Sequence, residues 1–361
     1  MKILILSNGT SGIWGFRKEL IEELLKTNSL VVASRISGYE KEIESLGARI
    51  VEVSMERRKV NPIEEFLTSR NFRKILRKEK PNLVITYTIK PNIYGGIACR
   101  SLKIPYAVNI TGLGTAFQKK GMLRKLVTVM YKVSLKKAKV VFFENSENMQ
   151  IFLDEKIITK NQACLLNGAG INLDHYSLLE YPQDCETTRF LFIGRVMKEK
   201  GINELFEAMK RLITDGISCS LDVLGGYEED YADIIKKYEE EGWLHYHGYQ
   251  KDVRPFIKKC HCFVLSSWHE GMANTNLECA ASGRPVITSN IAGCKEAIVD
   301  GKSGFLAEKQ NVGSLYEAMK KFAQLSYEER KTMGLIGRKH MVNVFDKKKV
   351  VMSTVKAIYR K

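Results

Sequence analysis

In this 361-residue chain, the residues whose types and spacing best suit ligand binding and catalysis are two glutamates, one arginine and one lysine. Glu270 and Glu278 are separated by seven residues, in a stretch that joins an apolar run to a helical pattern. A carboxylate has two acceptor oxygens, so it binds vicinal hydroxyl pairs well. Arg195 and Lys200 occupy an earlier turn, where a planar guanidinium and a compact ammonium can neutralise phosphate oxygens. The four side chains therefore predict a ligand that carries both hydroxyls and a diphosphate.

Backbone N–H groups in glycine-rich turns would supply further donors to such a ligand. The first amides of a helix have no intrahelical partner, and the helix dipole favours an anion there. The turns that offer such groups contain Gly12, Gly194, Gly271, Met272, Ala273 and Asn274. The turn at Gly12 is neither a Walker loop nor a G-x-G-x-x-G dinucleotide fingerprint. Hydroxyl acceptors combined with phosphate donors suit a nucleotide sugar.

Metal chemistry is not indicated by the spacing of the potential ligands. Three potential ligands are consecutive in the sequence, at Cys260, His261 and Cys262, but they lead directly into an apolar strand pattern. No second pair of ligands follows at the spacing of a zinc site. No Asp-x-Asp pair occurs in the chain. His269, beside Glu270, is a further candidate for the site. We therefore expect a reaction that needs no metal ion and no resident cofactor.

Short β-branched runs alternate with longer helical patterns along the whole chain. In the first half the predicted strands are Lys2–Leu6, Leu30–Ser34, Arg49–Val53, Leu83–Tyr87, Tyr106–Ile110 and Val140–Phe143. In the second half they are Phe190–Ile193, Ser220–Leu224, His245–His247, Cys262–Leu265, Pro285–Thr288 and Gly304–Ala307. Strands that alternate with helices predict parallel sheets built from βαβ units. The predicted fold class is α/β, with two doubly wound domains that bind ligands at the carboxyl ends of their strands.

The chain length and a polar stretch near its middle predict two domains. We place an N-terminal domain at 1–175 and a C-terminal domain at 176–345, with a hinge in Tyr176–Thr188. A last helix, 346–361, has no strand after it and is expected to pack back on the N-terminal domain. The cleft between two such domains is the expected binding site.

Composition excludes several classes of protein. With 44% hydrophobic and 27% charged residues, the chain is not disordered, collagen-like or of low complexity. No apolar run approaches the roughly 18 residues of a membrane span. The N-terminus lacks the long apolar core and the cleavage site of a signal peptide. The eight cysteines are scattered without the spacing of a disulfide framework, which favours a reducing, cytoplasmic compartment.

Positive charge is concentrated in the first half of the chain. Residues 1–180 contain 29 Lys and Arg against 17 Asp and Glu, and no acidic residue occurs between Glu79 and Glu144. This concentration of positive charge creates an electrostatic field that attracts a nucleic acid, an anionic membrane surface or a phosphorylated substrate. The residues in this stretch that we assign to an acceptor or a membrane are Lys90, Thr111, Lys119, Lys120, Arg124 and Lys125.

The segment 121–137 within this stretch has the periodicity of an amphipathic helix. The apolar residues that share one face of it are Leu123, Leu126, Val127, Met130 and Val133. Such a helix can lie on an anionic membrane or pack its apolar face into the core. We expect this face to pack into the core, while the basic side chains beside it contact lipid headgroups.

The C-terminal half resembles the retaining family 4 glycosyltransferases, whose GT-B fold consists of two Rossmann-like domains. The resemblance rests on Gly194, Arg195, Lys200, Gly201, Glu270, Glu278 and the segments 281–287 and 293–298. It implies that Arg195 and Lys200 hold the diphosphate of the donor. Glu278 would accept hydrogen bonds from the ribose hydroxyls, and Glu270 would contact hydroxyls of the donor sugar.

The same resemblance implies roles for backbone groups and for the N-terminal half. The amides of Gly271–Ala273 would support the donor sugar and phosphate, Tyr249 would border the base, and the turn at Gly12 would approach the diphosphate. The segments 86–92 and 109–114 resemble the branch that builds capsule, O-antigen and oligosaccharide precursors on undecaprenyl diphosphate. That branch takes UDP-sugars, including UDP-N-acetylgalactosamine. The resemblance thus implies a UDP-sugar donor, a polyprenyl-diphosphate-linked acceptor and a peripheral position on the inner face of the cell membrane.

Two departures from the family's pattern bear on the mechanism. Ala273 stands where many relatives have Pro or Gly. Many relatives also have a histidine near the anomeric carbon in the N-terminal domain, whereas the first histidine of this chain is His175. We therefore expect the departing phosphate to take the acceptor proton in a same-face reaction that retains the anomeric configuration. Arg195, Lys200 and Glu270 would be the catalytic residues, with Glu270 as a positioning group.

Two other functions remain open at this point. A UDP-sugar 2-epimerase also has two Rossmann-like domains, although the paired glutamates with Arg195 and Lys200 favour a transferase. A nucleic-acid-binding protein would explain the isoelectric point of about 9.3. The basic stretch, however, has few interleaved aromatic residues and no known binding motif, so we expect no nucleic acid partner.

Overall fold

The computed structural model describes residues 1–55, 62–114, 117, 121–183 and 186–360. They form two units, and each is built around one parallel sheet. The first unit comprises Met1–Ala169 with Lys348–Lys361, and the second comprises Gly170–Lys347. The prediction of an α/β fold with two doubly wound parallel sheets is confirmed.

The first unit alternates strands and helices from its first residues. Its strands are β1 (Lys2–Ser7), β2 (Ser29–Ser34), β3 (Arg49–Glu52), β4 (Leu83–Tyr87), β5 (Tyr106–Ile110), β6 (Val140–Phe143) and β7 (Ala163–Leu165). Its helices up to β7 are α1 (Thr10–Leu25), α2 (Glu40–Ser45), α3 (Pro62–Glu79), α4 (Gly96–Leu102), α5 (Met122–Leu135) and α6 (Ser146–Asp154). The sequence predicts six of these strands; β7 has three residues, too few to give a periodic pattern.

The strand order of the first sheet is β3-β2-β1-β4-β5-β6-β7, with all neighbours parallel. The central strands are apolar on both faces, because helices cover both sides of such a sheet. All five residues of β4 are buried, for example. The direction of winding reverses between β1 and β4, and the carboxyl ends of these two strands therefore mark the point where doubly wound sheets bind ligands.

A network of buried side-chain amides joins β4 and β5 to the turn that follows β4. Thr86 Oγ1 donates to Asn92 Oδ1 at 2.7 Å, and Asn92 Nδ2 donates to the Asn109 carbonyl oxygen at 2.8 Å. Asn109 Nδ2 donates in turn to the Thr86 carbonyl oxygen at 3.3 Å. Residues Pro91–Gly95 form a π-helical turn between these strands. Thr86, Asn92 and Asn109, which belong to the segments 86–92 and 109–114, therefore have a structural role.

The apolar face predicted for α5 is only partly directed to the core. The side chains buried beneath the helix are those of Thr128, Tyr131, Ser134 and Leu135. Val127 and Met130 are partly buried, whereas Leu123, Leu126 and Val133 are exposed, which makes the prediction wrong for these three. The small Ser134 lies against Gly96 of α4, so close packing to a neighbouring helix decides which face is buried.

The second unit repeats the alternation of strands and helices. Its strands are β8 (Thr188–Ile193), β9 (Cys219–Leu224), β10 (Leu244–Tyr246), β11 (Cys262–Leu265), β12 (Val286–Ser289) and β13 (Gly304–Ala307). Its helices are α7 (Ile202–Thr214), α8 (Ala232–Glu240), α9 (Arg254–Lys259), α10 (Asn274–Ala281), α11 (Val312–Ala323) and α12 (Tyr327–His340). The sheet order is β10-β9-β8-β11-β12-β13, so the winding reverses between β8 and β11.

The last helix, α13 (Lys347–Tyr359), belongs mainly to the first unit. Val350, Val351 and Ile358 pack in the apolar cluster that also contains the inward side chains of α1. Asn28 Nδ2 donates to the Tyr359 hydroxyl at 2.8 Å. None of the helices in the described part of the chain is both long and apolar enough to cross a membrane.

Candidate functional site

The predicted donor residues of the second unit follow β8 and β11, the two strands that flank its switch point. Gly194 comes directly after β8, and Gly225 of the neighbouring loop lies against it with φ +140°. A Cβ at Gly225 would lie 1.8 Å from the Gly194 carbonyl oxygen, so only glycine allows the two loops to approach this closely. Ligands of doubly wound sheets bind at this end of the strands.

Lys200 and Glu270 form an ion pair at this switch point. The Glu270 carboxylate oxygen that faces Lys200 Nζ also accepts from Ser267 Oγ at 2.8 Å. The two side chains are only 20% and 13% exposed, and Gly201, with φ +70°, brings the Lys200 turn against the Ser266 carbonyl oxygen. Two residues that are 70 positions apart therefore meet at one point, as a diphosphate site beside a sugar-hydroxyl site requires.

The Arg195 side chain is more exposed to solvent than the Lys200 side chain. Its Nη1 lies 3.3 Å from Glu228 Oε2, and its side chain remains 41% exposed. The Glu228 amide donates to the Val196 carbonyl oxygen at 3.1 Å, which fixes the loop that carries the carboxylate. Because an exposed pair contributes little energy, the Arg195 guanidinium can exchange Glu228 for phosphate oxygens at low cost.

The turn before α10 offers fewer free amides than the sequence predicts. The Ala273 N–H donates to the Gly293 carbonyl oxygen at 2.7 Å, so it is not available to a ligand and its predicted role is corrected. Met272 is buried beside it. The helix has no side-chain cap, which leaves the first amides of α10, those of Asn274 and Thr275, without an intrahelical acceptor. These amides can meet an anion; Asn274 is one of the predicted positions, and Thr275 follows it directly.

Glu278 lies in α10 and is held by a residue that sequence reasoning missed. Burial raises the pKa of the Glu278 carboxyl to about 7, although a hydrogen bond with the Tyr176 hydroxyl and the charge of Lys347 lower it. Tyr176 belongs to the polar stretch 176–188, and nothing in its spacing relates it to Glu278. Once this carboxyl is deprotonated, a ligand hydroxyl can replace the Tyr176 hydroxyl as the donor to it.

Tyr249, predicted to border a base, is 76% exposed at the end of the sheet that carries β9 and β10. The carbonyl oxygen of the preceding Gly248, which has φ +62°, accepts from the Gly225 amide at 2.8 Å, and this bond joins its turn to the loop after β9. Tyr227 and Tyr246 stack nearby with ring centroids 4.7 Å apart. No spacing pattern relates these two rings, because Tyr227 lies in the loop after β9 and Tyr246 ends β10.

His269 and the compact cysteine–histidine segment occupy different environments. Burial lowers the pKa of His269, whose Nε2 lies 3.4 Å from Glu199 Oε2. His261 lies in the core, where its Nδ1 accepts from the Arg189 amide at 2.9 Å. Over the described ranges, no three histidine, cysteine, aspartate or glutamate side chains are arranged to hold a metal ion.

In the first unit, some of the backbone amides in the turn at Gly12 already donate hydrogen bonds to groups of the same unit. The Thr10 amide donates to the Arg35 carbonyl oxygen at 3.2 Å, and the Ser11 amide donates to Ser37 Oγ at 3.0 Å. Two of the first three amides of α1 are therefore engaged within the unit, which weakens the expected contact with a diphosphate. The Gly12 amide lies at the same helix start, and a Cβ on Gly12 would meet open space.

The acceptor and membrane residues predicted in the first unit lie in three kinds of surroundings. Lys90 is largely buried, and its Nζ lies 2.6 Å from Glu65 Oε1, so it does not contribute free charge to a surface. The prediction is corrected on this point. Arg124 pairs with Glu155, and Thr111 is partly buried. Lys125 is exposed, and Lys119 and Lys120 lie outside the described residues.

Comparison with known proteins relates both units to one class of enzyme. Residues 2–145 match the family described as "Glycosyl transferase 4-like", and residues 181–340 match "Glycosyl transferases group 1". The N,N'-diacetylbacillosaminyl-diphospho-undecaprenol alpha-1,3-N-acetylgalactosaminyltransferase of Campylobacter jejuni is 26% identical over 88% of each chain. The capsular polysaccharide biosynthesis glycosyltransferase CapM of Staphylococcus aureus is 24% identical over 90% of this chain and 88% of its own.

Solved structures share the same fold. A glycosyltransferase from Rickettsia africae superposes with a TM-score of 0.80 at 17% identity, over 100% of this chain and 99% of its own. HepE of Anabaena, in its complex with UDP-glucose, superposes with a TM-score of 0.80 at 14% identity, over 99% of this chain and 100% of its own.

Proposed function

The chain belongs to the glycosyltransferases with a 4-like first unit and a group 1 second unit, and from this premise we propose the reaction it catalyses. It transfers a hexose or N-acetylhexosamine, with N-acetylgalactosamine as the first choice, from a UDP-sugar to a polyprenyl-diphosphate-linked saccharide. The anomeric configuration is retained, and the product serves surface polysaccharide assembly. The relatives named for undecaprenyl-diphosphate-linked acceptors support this substrate class, and the family matches disfavour the epimerase and nucleic-acid-binding alternatives.

The pairing of Lys200 with Glu270 is the single observation that carries the proposal. In the free enzyme each charge compensates the other. When the donor binds, Lys200 and Arg195 neutralise the diphosphate, while Glu270 is released to the sugar hydroxyls. Fixed cations near the leaving group stabilise charge that develops as the glycosidic bond breaks.

The transfer step follows from the groups available. The bond between the anomeric carbon and the phosphate oxygen breaks, and the acceptor oxygen forms its bond on the same face of the sugar. The acceptor proton passes to the departing phosphate oxygen, and UDP is the second product. This route needs no imidazole from the first unit, where the sequence before His175 contains none. Glu270 then positions the sugar and is not a nucleophile.

A donor screen tests the proposal. Purified protein is mixed with UDP-, GDP- and ADP-sugars and a synthetic polyprenyl-diphosphate N-acetylhexosamine, with and without EDTA, and products are read by mass spectrometry. We expect transfer from one UDP-sugar and equal rates with the chelator. Absence of transfer together with absence of a thermal shift by UDP would contradict the donor site; loss of all activity on chelation would contradict the metal-independent route.

We further propose that the enzyme acts at an anionic membrane surface through α5. Exposed apolar side chains form one stripe along this helix: Met122, Leu123, Leu126, Val129 and Val133. Exposed lysines lie beside the stripe, at Lys125, Lys132 and Lys136. An apolar stripe with flanking lysines is typical of helices that lie in the headgroup region, where burial of apolar area adds to attraction by anionic lipids.

Replacing Leu123 and Leu126 with serine should weaken vesicle binding at least tenfold, because each buried leucine contributes about 1.5–3 kcal/mol. The measurement is co-sedimentation with phosphatidylcholine vesicles that contain about 30% phosphatidylglycerol, at low and high salt. The matched control is Leu335→Ser, at an exposed leucine on α12 of the second unit. Equal binding of the double variant and the control would refute a role for α5.

A further inference from the structure

The loop after β9 carries a carboxylate that faces the candidate diphosphate site. We call this loop, residues 225–230, the acidic loop; it lies beside the turn after β8 that carries Arg195. Glu228 Oε2 lies 3.3 Å from Arg195 Nη1. Since Lys200 is paired with Glu270, both cations assigned to the donor diphosphate have a carboxylate partner in the structure. Glu270 is assigned to the sugar hydroxyls, whereas no step of the proposed reaction uses Glu228.

Backbone pairing holds the acidic loop in place against the turn after β8. The Val196 amide donates to the Gly226 carbonyl oxygen at 2.9 Å, and the Glu228 amide donates to the Val196 carbonyl oxygen at 3.1 Å. Val196 and Tyr227 form a parallel β-bridge, and the Tyr227 ring stacks on Tyr246. The backbone of Glu228 cannot withdraw without breaking these contacts. Its carboxylate therefore stays close to Arg195 when the guanidinium turns to a ligand.

Glu229, the next residue of the acidic loop, contacts the same turn in a different way. Its Oε2 accepts from the Lys198 amide at 2.7 Å. A glutamine at this position can accept the same hydrogen bond through its amide oxygen. Glu228 and Glu229 therefore offer two substitutions that remove an equal charge from one loop, and only the first removes it from the partner of Arg195.

The reaction changes the charge of the group that Arg195 and Lys200 bind. The diphosphate of a UDP-sugar carries two negative charges, one on each phosphate. In UDP the terminal phosphate has a second ionisation with a pKa of about 6, so at pH 8 it loses the proton it received and UDP carries three charges. A site made of cations alone would bind the product more tightly than the substrate, and product inhibition would slow turnover.

We propose that Glu228 is a resident counterion that favours release of UDP, because it repels the additional charge of the product and pairs again with Arg195 as UDP leaves. The inference rests on the proposed function, since UDP is the product of that reaction. Glu228 touches no reacting atom in this proposal. It determines how strongly the site prefers the intact donor to UDP.

Other charged groups surround the same site and are common to all the proteins compared. The titratable and charged side chains on the neighbouring turns, on α10 and on the acidic loop are Lys198, Glu199, Lys200, His269, Glu270, Glu278, Glu229 and Asp230. Any pH dependence that they cause acts on the wild type and on a Glu228 variant alike. The ratio of two ligand affinities, compared between the two proteins, therefore isolates Glu228.

Glu228→Gln tests the proposal with two probes that differ by one charge. The probes are UDP and its methyl ester on the terminal phosphate, which cannot undergo the second ionisation. At pH 8, calorimetry should show that the substitution lowers the Kd of UDP about 30-fold and that of the ester about threefold. The tenfold difference equals about 1.4 kcal/mol, in the range for two like charges close together near a protein surface. Equal changes for the two probes, or no change, would overturn the proposal.

The same measurement at pH 5 gives a readout that a merely structural role would not move. The terminal phosphate of UDP is then largely protonated, so both probes carry about two charges. Glu228→Gln should change the two Kd values by the same factor at this pH. A tenfold difference that persists at pH 5 would contradict repulsion of the additional charge as its cause.

Two further variants serve as controls. Glu229→Gln should leave both Kd values within about threefold of the wild type, because the charge it removes is not paired with Arg195. Glu228→Asp keeps a carboxylate on the same loop and should keep the preference for the ester within about threefold. The thermal midpoint of Glu228→Gln should match that of the wild type, since an exposed ion pair contributes little to stability. Loss of the preference in Glu229→Gln or in Glu228→Asp would contradict the assignment to the Glu228 charge.

Transfer assays separate failure of this inference from failure of the proposed function. Transfer from a UDP-sugar with equal inhibition by UDP in the wild type and in Glu228→Gln would refute the inference alone. The expected change in preference, without transfer from any UDP-sugar, would refute the proposed function and leave Glu228 as a determinant of diphosphate binding. A wild type that binds neither probe would refute the donor site and the inference with it.

Discussion

Replacing Lys200 with methionine should reduce kcat for sugar transfer by about 100- to 1,000-fold, the loss found when one preorganised donor to developing charge is removed. The change keeps the length and apolar stem of the side chain but removes the ammonium that faces Glu270. The measurement is kcat with saturating donor and acceptor. Lys198→Met is the matched control, because it removes an equal charge from an exposed position of the same turn and should change kcat less than about threefold.

The same substitution has a consequence for stability that distinguishes chemistry from misfolding. Lys200→Met leaves the Glu270 carboxylate largely buried with Ser267 as its remaining described donor, and breaking such a pair costs about 3–5 kcal/mol. Adding Glu270→Gln removes the unpaired charge, so the double variant should regain most of the lost thermal midpoint. Its kcat should stay low. Recovery of both quantities would mean that Lys200 acts only through the fold.

The turns that carry the candidate donor residues of the second unit could be placed from sequence, because their signals are local. Gly194, Arg195 and Glu270 lie in strand-to-helix turns, and Glu278 lies in the helix that follows the second of these turns. Apolar runs and glycines in the sequence mark where these turns begin and end. Parallel strands then bring such turns to one edge, and the meeting of Lys200 with Glu270 follows from topology. What the sequence did not reveal is the present partner of each group, such as Glu228 for Arg195, since ion pairs between loops have no spacing rule.

The errors in the first unit have a common physical origin. Helical periodicity indicates which residues of α5 share a face, but it does not indicate which face is covered. Tyr131 and Leu135 are buried there, and Leu126 is 57% exposed, because the helix packs closely through the small Ser134. Similarly, a charge count places Lys90 in a basic field, while the fold pairs it with Glu65.

Glu278→Gln should weaken binding of the UDP-sugar about 10- to 100-fold at pH 8, because hydrogen bonds to a charged group contribute about 1.5–3 kcal/mol. The variant keeps the size of the side chain and its place beside Tyr176. Binding is measured by calorimetry with the intact nucleotide sugar, whose diphosphate does not titrate near neutral pH. Glu199→Gln is a control at a half-exposed glutamate of the Lys200 turn and should bind the donor normally.

The pH dependence of the same variant gives an independent test with a defined sign. The pKa of Glu278 is raised by burial to about 7, so the folded protein holds a proton that the unfolded chain releases above about 4.5. Stability therefore falls as pH rises from about 4.5 to 7, by about 3 kcal/mol, and then levels off. Glu278→Gln removes this fall, so the variant should be more stable than the wild type at pH 8. Donor affinity should change in the opposite direction: it should improve through pH 7 in the wild type as the carboxylate forms, and stay flat in the variant. Parallel pH profiles of donor affinity for the two proteins would show that Glu278 does not bind the ribose.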